Sequence, residues 1–209
     1  MKITLTGLGK KFTRDWIFRN VNHIFEEKSR TAILGANGSG KSTLLQVIAG
    51  FTSPSEGQVT YARDGQAADP LMVHAQMSFA SPYLELMEDF TFPEAAAFQE
   101  KFRPWMKGMD HGRVMELSGL RGAGDKLIRT YSSGMKQRAR LALAILSDSP
   151  VLLLDEPCSN LDKQGQEWYA SLISDFGGDR TIVVCSNQVK EEYFFCQNSL
   201  EMERFKGSV

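Results

Sequence analysis

A glycine-rich run near residue 40 has the residue types that hold phosphate groups. Gly35, Gly40, Lys41 and Ser42 fit the spacing G-x-x-x-x-G-K-[ST] in full, within the run GANGSGKS. Glycines let backbone N–H groups approach phosphate oxygens, a lysine at this place carries charge to the β- and γ-phosphates, and the serine hydroxyl ligates Mg²⁺. The run therefore predicts a site for nucleotide phosphates and Mg²⁺, formed by Gly35, Asn37, Gly38, Ser39, Gly40, Lys41, Ser42 and Thr43.

A second candidate is the carboxylate pair Asp155-Glu156, which follows four aliphatic residues at 151–154. Such a run is typical of a buried parallel strand, and in open α/β sheets ligands bind at the carboxyl ends of the strands. Asp155 is then expected to reach Mg²⁺, and Glu156 to face an attacking water. An isolated Asp-Glu pair can equally be a solvated turn, but beside a phosphate loop it predicts a hydrolysis site.

A third segment, YSSGMKQR at 131–138, precedes this strand, and SNLD at 159–162 follows it. By spacing alone, 131–138 could be only a serine-rich N-cap for a helix at 134–146. In the order of all four motifs, however, nearly the whole chain resembles the nucleotide-binding subunit of ATP-binding cassette (ABC) transporters. That family reads L-S-G-G-Q in the third motif; this chain keeps Ser132 and Gly134 and departs from the pattern at Tyr131, Ser133 and Met135.

The resemblance implies an α/β fold: a P-loop NTPase of the RecA-like type with a mostly parallel sheet, an N-terminal antiparallel β subdomain and an inserted α-helical subdomain. It implies a single domain over residues 1–209. Within that domain, 1–81 and 147–209 are expected to form the nucleotide-binding core with the β subdomain, and 82–146 the helical subdomain.

The resemblance also implies ATP as the ligand and a head-to-tail dimer, with a homodimer expected. Ser132, Gly134 and the start of their helix would close onto the γ-phosphate bound by the other subunit's Lys41, since a helix N-terminus suits an anion. Asp162 would lie across the dimer interface, a role compatible with its capping the next helix. The further partner implied is a transmembrane permease subunit, which would hold the protein at the inner, cytoplasmic face of the cell membrane.

An aromatic residue upstream of the phosphate loop stacks on adenine in this family. Phe12 takes that place by spacing and Trp16 is the second candidate, although either could belong to the core. Aromatics are also dense between Phe79 and Trp105. In the family a groove beside this segment receives a cytoplasmic helix of the membrane subunit, and Tyr83 is our first candidate for that contact.

Two residues of the family pattern are missing. Ser81 or Pro82 stands where a glutamine is usual, and Asn187 stands where a histidine contacts the γ-phosphate. Metal and phosphate electrostatics supply the larger share of phosphoryl-transfer catalysis, and Lys41 and Glu156 are present. We therefore expect hydrolysis to be retained, with the Asn187 amide donating a hydrogen bond in place of the imidazole.

The elements around these motifs follow from their patterns. The phosphate loop lies between a short apolar strand at 31–34 and a helical repeat at 42–49, which is the context that such a loop needs. Further strands are predicted at 2–5, 16–21, 22–25, 73–80, 151–154 and 181–185. Helices are predicted at 93–102, 110–120, 134–146, 164–176 and from 189 onward.

Composition restricts the remaining choices. The chain has 209 residues, of which 42% are hydrophobic, and this composition predicts a globular fold. Its 24 basic and 25 acidic residues nearly balance, so no positive electrostatic field that would attract a nucleic acid is expected. No apolar run approaches the roughly 18 residues of a membrane helix, so membrane association is expected only through the partner. Two alternatives stay open: an ATP-gated switch with little hydrolysis, and a soluble ABC ATPase outside transport.

Overall fold

The larger of two sheets carries the ends of the strands singled out above. Within the computed structural model, which describes residues 1–69 and 72–206, its five parallel strands lie in the order β6-β7-β8-β3-β9. They are β3 (Arg30–Leu34), β6 (Met77–Ala80), β7 (Val151–Asp155), β8 (Thr181–Ser186) and β9 (Asn198–Glu201). Every residue of β7 and β8 is buried, as strands covered on both faces require. The predicted parallel sheet is confirmed.

The smaller sheet is antiparallel and comes mostly from the N-terminal part of the chain. In the described residues its order is β2-β1-β4-β5. The strands are β1 (Lys2–Phe12), β2 (Asp15–Phe25), β4 (Glu56–Arg63) and β5 (Gln66–Ala67). Buried side chains of β1 and β2 share one hydrophobic core with the helix after the phosphate loop. This antiparallel β subdomain was expected from the resemblance and is confirmed.

Among the described residues, three helices belong to the parallel sheet. They are α1 (Lys41–Ile48), α5 (Lys163–Phe176) and α6 (Lys190–Tyr193). Helix α1 contacts β7 and β8, which places the phosphate loop over the carboxyl ends of these strands. None of the helices within the described residues is long and apolar enough to span a membrane.

Three more helices lie between β6 and β7 in the chain: α2 (Phe92–Glu100), α3 (His111–Ser118) and α4 (Ser133–Ile145). Each begins at a side-chain cap, namely Thr91, Asp110 and Ser132. The buried side of α4 joins these helices to β6 and α5 through one hydrophobic core. The inserted helical subdomain is confirmed, while its boundaries at 82 and 146 stay predictions.

Some element predictions are wrong in detail. The helix expected from Val189 onward is a single turn, because the chain then adds β9 to β3, burying Leu200 and covering that edge of the sheet. The strand expected at 73–80 begins only at β6, after a 3₁₀ turn at Val73–Gln76. The two strands expected between 16 and 25 form one, β2.

Candidate nucleotide-binding site

The phosphate loop connects β3 to α1 and is shaped by glycine. Gly38 and Gly40 have φ angles of 78° and 94°, which side chains disfavour. A Cβ on Gly40 would lie 2.7 Å from Cγ2 of Ile17, so only glycine fits there. The Ser39 N–H closes the loop by donating to the Ala36 carbonyl at 3.1 Å.

The side chain of Lys41 turns back into the phosphate loop that precedes it in the chain. This side chain is buried, and Nζ donates to the carbonyls of Gly35 at 2.8 Å and Ala36 at 3.0 Å. The ammonium group is therefore held at the centre of the loop. Phosphate oxygens would there replace the two carbonyls as its hydrogen-bond acceptors. Outside the loop, a carboxylate from the C-terminal part contributes: Ala36 N–H donates to Glu203 Oε1 at 2.7 Å. No sequence pattern pointed to Glu203.

Asp155 is held by two hydroxyl groups at the end of β7. Ser42 Oγ donates to Oδ1 at 3.0 Å, and Ser81 Oγ donates to Oδ2 at 3.1 Å. The aspartate is 1% exposed, and this burial raises the pKa of its carboxyl despite both hydrogen bonds. Ser81 thus joins Ser42 and Asp155 in one cluster of side-chain oxygens. The sequence pointed to Ser81 only as a departure from the family.

A cleft of about 330 Å³ lies beside this cluster. It brings together six of the predicted loop residues with Glu156, and its lining is Ile17, Asn37, Gly38, Gly40, Lys41, Ser42, Thr43, Tyr83 and Glu156. Ile17 and Tyr83 were not predicted for this site. Phe12 is half-exposed outside this lining, with the Lys10 ammonium 4.8 Å from its ring centroid.

Glu156 reaches the cleft through an unusual backbone conformation. Its φ is 44°, in the left-handed region, which costs a non-glycine residue about 1–2 kcal/mol. Its N–H donates to the Cys185 carbonyl at 2.9 Å, which ties the turn to β8. Such strain persists where the surrounding structure holds it, as is typical of functional sites.

The serine motif lies at the start of α4, outside the cleft lining of its own chain. Ser132 is exposed, and its Oγ accepts a hydrogen bond from Met135 N–H at 3.2 Å. A Cβ on Gly134 would lie 3.0 Å from the Asn160 carbonyl, so this glycine lets the SNLD segment approach the motif closely. Tyr131, which departs from the family's leucine, is buried and donates from its hydroxyl to the Ala123 carbonyl at 2.9 Å.

Two further predicted residues lie after β7 and β8. Asp162 caps α5, its Oδ1 accepting from Gly165 N–H at 2.7 Å. Asn187 directly follows β8 and is exposed, outside the lining of the cleft.

A glycine loop between a buried strand and a helix, with a lysine inside it and an aspartate at the end of a second parallel strand, defines a P-loop nucleotide-binding protein. Residues 18–159 match the family model described as ABC transporter. The chain therefore belongs to the ABC transporter family, and the resemblance predicted from its motifs is confirmed.

Curated relatives are ATP-binding subunits of transporters. The chain is 32% identical over 203 residues to the lipoprotein-releasing system ATP-binding protein LolD of Oleidesulfovibrio alaskensis, covering 90% of this chain and 87% of that one. It is 33% identical over 175 residues to the energy-coupling factor transporter ATP-binding protein EcfA1 of Thermotoga maritima. That match covers 79% of this chain but only 64% of the length of EcfA1.

A solved structure supports the same fold. It is a dimeric, post-hydrolysis state of the ATP-binding cassette MJ0796 bound to ADP and Pi, with a TM-score of 0.81 and 22% identity. The match covers 95% of this chain and 93% of that one. This likeness confirms the expected P-loop NTPase fold of the ABC type.

Proposed function

We propose that the chain is the ATP-hydrolysing subunit of an ABC transporter, which dimerises on MgATP and drives a separate membrane subunit. The observation that carries this proposal is the pair of hydroxyls, Ser42 and Ser81, that converge on the Asp155 carboxylate beside the phosphate loop. The loop supplies donors for phosphate, and the cluster supplies oxygen ligands next to them.

The residues present fit Mg²⁺ as well as ATP. Magnesium prefers oxygen ligands and is usually held by one or two carboxylates together with substrate phosphates. Ser42 Oγ and Asp155 Oδ1 lie 3.0 Å apart and would hold the ion between them and the phosphates. When bound, the ion neutralises the charge that develops on the transferred phosphoryl group.

The protein's own groups supply the remaining chemistry. Lys41 would leave the Gly35 and Ala36 carbonyls for the β- and γ-phosphate oxygens. Glu156, which lines the cleft, would orient the attacking water and accept its proton. Asn187 would donate an amide hydrogen bond to the γ-phosphate after closure, and Phe12 would stack on the adenine from the end of β1.

The expected dimer is a head-to-tail homodimer. Ser132 and Gly134 stand at the start of the thirteen-residue helix α4, and Ser132 is exposed to a second subunit. In that arrangement the motif would complete the γ-phosphate site of the other chain, because helix N–H groups and the helix dipole favour an anion.

An apolar groove supports a membrane partner. It has a volume of about 260 Å³ and lies between the segment after β6 and helices α2 and α4. Its apolar lining includes Phe79, Leu84, Leu86, Met87, Phe98 and Leu143. We propose that a cytoplasmic helix of the permease subunit docks there, which would hold the chain at the inner face of the cell membrane.

The test is MgATP binding and hydrolysis by the purified chain, alone and with the transmembrane chain that co-purifies from membranes. We expect Lys41→Ala to weaken MgATP binding, and Glu156→Gln to bind ATP, dimerise and lose turnover by at least about 10²-fold. MgATP binding by Lys41→Ala as tight as that of the unaltered protein would refute the proposal.

A second candidate function is an ATP-gated switch with negligible hydrolysis. It is favoured by Asn187, which is exposed and cannot titrate, and by Ser81 or Pro82 in the place of a glutamine. Equal turnover in the unaltered protein and Glu156→Gln, with ATP-dependent dimerisation in both, would select the switch.

A further inference from the structure

Behind the cleft, the carbonyl and the N–H of one peptide bond are both hydrogen-bonded to buried side chains. Gln137 Nε2 donates to the Pro157 carbonyl at 3.0 Å, and the Cys158 N–H donates to Glu192 Oε1 at 3.1 Å. The Pro157 carbonyl and the Cys158 N–H belong to the same peptide bond. Gln137 and Glu192 are 0% and 3% exposed, so both bonds lie in the interior.

The burial of the Gln137 and Glu192 side chains costs desolvation free energy. Gln137 Oε1 and Glu192 Oε2 each have no hydrogen-bond partner among the described residues. Buried polar atoms are rarely left unpaired, because their desolvation is then uncompensated. Packing alone would be served better by apolar residues at both positions, so the arrangement points to a role in the site.

The location of the peptide indicates that role. It begins one residue after Glu156, whose left-handed backbone requires support from its surroundings. Gln137 lies on α4, the helix that begins at the Ser132 cap, and Glu192 lies on α6, five positions after Asn187. These two hydrogen bonds therefore connect three segments that the proposed function assigns to the γ-phosphate.

We propose that Gln137 and Glu192 are positioning residues for ATP hydrolysis, which clamp the Pro157–Cys158 peptide and thereby hold the Glu156 carboxylate in the cleft. This inference rests on the proposed function, in which Glu156 orients the water. The clamp acts on turnover and leaves nucleotide binding to the phosphate loop.

The charges around Glu192 add a pH dependence. It is faced by Asp155, Glu156 and Cys158 in and after β7, by Tyr169 on α5 and by Cys185 on β8. Burial, reinforced by the nearby Glu156 and Asp155 carboxylates, raises the pKa of Glu192 to about 7, although the Ser186 hydroxyl and the Cys158 N–H act to lower it. An ionised carboxylate accepts the Cys158 N–H bond more strongly than a neutral acid does, so the clamp tightens as pH rises through 7.

Substitutions of similar size separate the clamp from simple packing. Gln137→Met and Glu192→Met keep side-chain length and remove the hydrogen bonds. We expect each to lower kcat about tenfold to a hundredfold while the dissociation constant for MgATP changes less than about twofold, because a misplacement of about 1 Å can cost 10²-fold in rate. The double variant should lose little more than either single one, since both act on one peptide.

Two controls accompany these variants. Glu192→Gln should keep at all pH values about the kcat that the unaltered protein has below pH 7, because its neutral amide oxygen accepts from Cys158 as the neutral acid does, and it should lose the rise of kcat near pH 7. Glu191→Ala changes the exposed neighbour of Glu192 and should behave as the unaltered protein in both measurements.

Hydrogen exchange tests the clamp without turnover. In the nucleotide-free protein, Gln137→Met and Glu192→Met should accelerate amide exchange of residues 156–162, and Glu191→Ala should not. An inactive unaltered protein would refute the proposed function while this measurement still decides the clamp. Unaltered exchange at 156–162 in both Met variants, or unaltered kcat in both when the unaltered protein is active, would overturn the inference.

Discussion

Ser81 and Asp155, 74 positions apart in the chain, are joined by a 3.1 Å hydrogen bond from the serine hydroxyl to Oδ2. Ser42 binds the other oxygen of the same carboxylate, and the Tyr83 N–H donates to Ser81 Oγ at 3.3 Å. The serine therefore links the segment that leads toward the groove with the carboxylate at the centre of the site.

Ser81→Ala should raise the Mg²⁺ concentration that nucleotide binding requires. A hydrogen bond to a charged group contributes about 1.5–3 kcal/mol, so we expect the Mg²⁺ concentration for half-maximal ATP binding to rise by about tenfold or more. Titration of Mg²⁺ at fixed ATP, followed by calorimetry, measures this. Ser78→Ala is the matched control, because Ser78 is also buried beside β7 but pairs with Ser149. An equal shift in both variants would contradict a specific role of Ser81.

Substitutions at Tyr83 and Met87 should affect different binding events, nucleotide binding for Tyr83 and binding of the membrane chain for Met87. Tyr83 lines the nucleotide cleft and is 73% exposed, whereas Met87 lines the apolar groove. Tyr83, our first candidate for the membrane contact, therefore lies outside the groove lining, and its contact with a partner stays a prediction. We expect Tyr83→Ala to change MgATP affinity severalfold, and Met87→Glu to reduce co-purification of the membrane chain and partner-stimulated ATPase activity. The reverse pattern would show that the groove is not the docking surface.

Asn187 should contribute no inflection to the pH profile of ATP hydrolysis. An amide does not titrate near neutrality, unlike the histidine usual at this position. The kcat–pH curve of Asn187→Ala should therefore keep the shape of the unaltered curve, although its amplitude falls. An inflection near pH 6.5 that disappears in Asn187→Ala would count against this assignment.

Glu192 should make folding stability fall between about pH 4.5 and pH 7. Burial raises the pKa of this carboxyl from 4.5 to about 7, so over that range the unfolded chain loses a proton that the folded chain keeps. Stability therefore declines as pH rises, and the loss remains above pH 7. Relative to Glu192→Gln, we expect a loss on the order of 1–3 kcal/mol between pH 4.5 and pH 8 in the free energy of unfolding, measured with urea. Parallel stability curves for the two proteins would contradict the pKa of Glu192.

Much of the fold could be predicted because its signals are local. The strand at Val151–Asp155 is a contiguous aliphatic run, and α4 begins at a serine cap that the sequence displays. The end of the chain was less predictable. Residues 198–201 become β9 because the edge of β3 is available to pair with them, and no local pattern records that edge.

The phosphate loop and the Asp155-Glu156 pair could be read from the sequence alone, since their chemistry depends on neighbouring residues at a set spacing. Only the tertiary structure decided which distant groups complete them. Ala80 and Leu154 pair in the parallel register of β6 and β7, which brings the next residues, Ser81 and Asp155, side by side. The clamp on the Pro157–Cys158 peptide likewise joins side chains 20 and 34 positions away from their partners. Such contacts arise from strand register and helix packing, which no spacing along the chain displays.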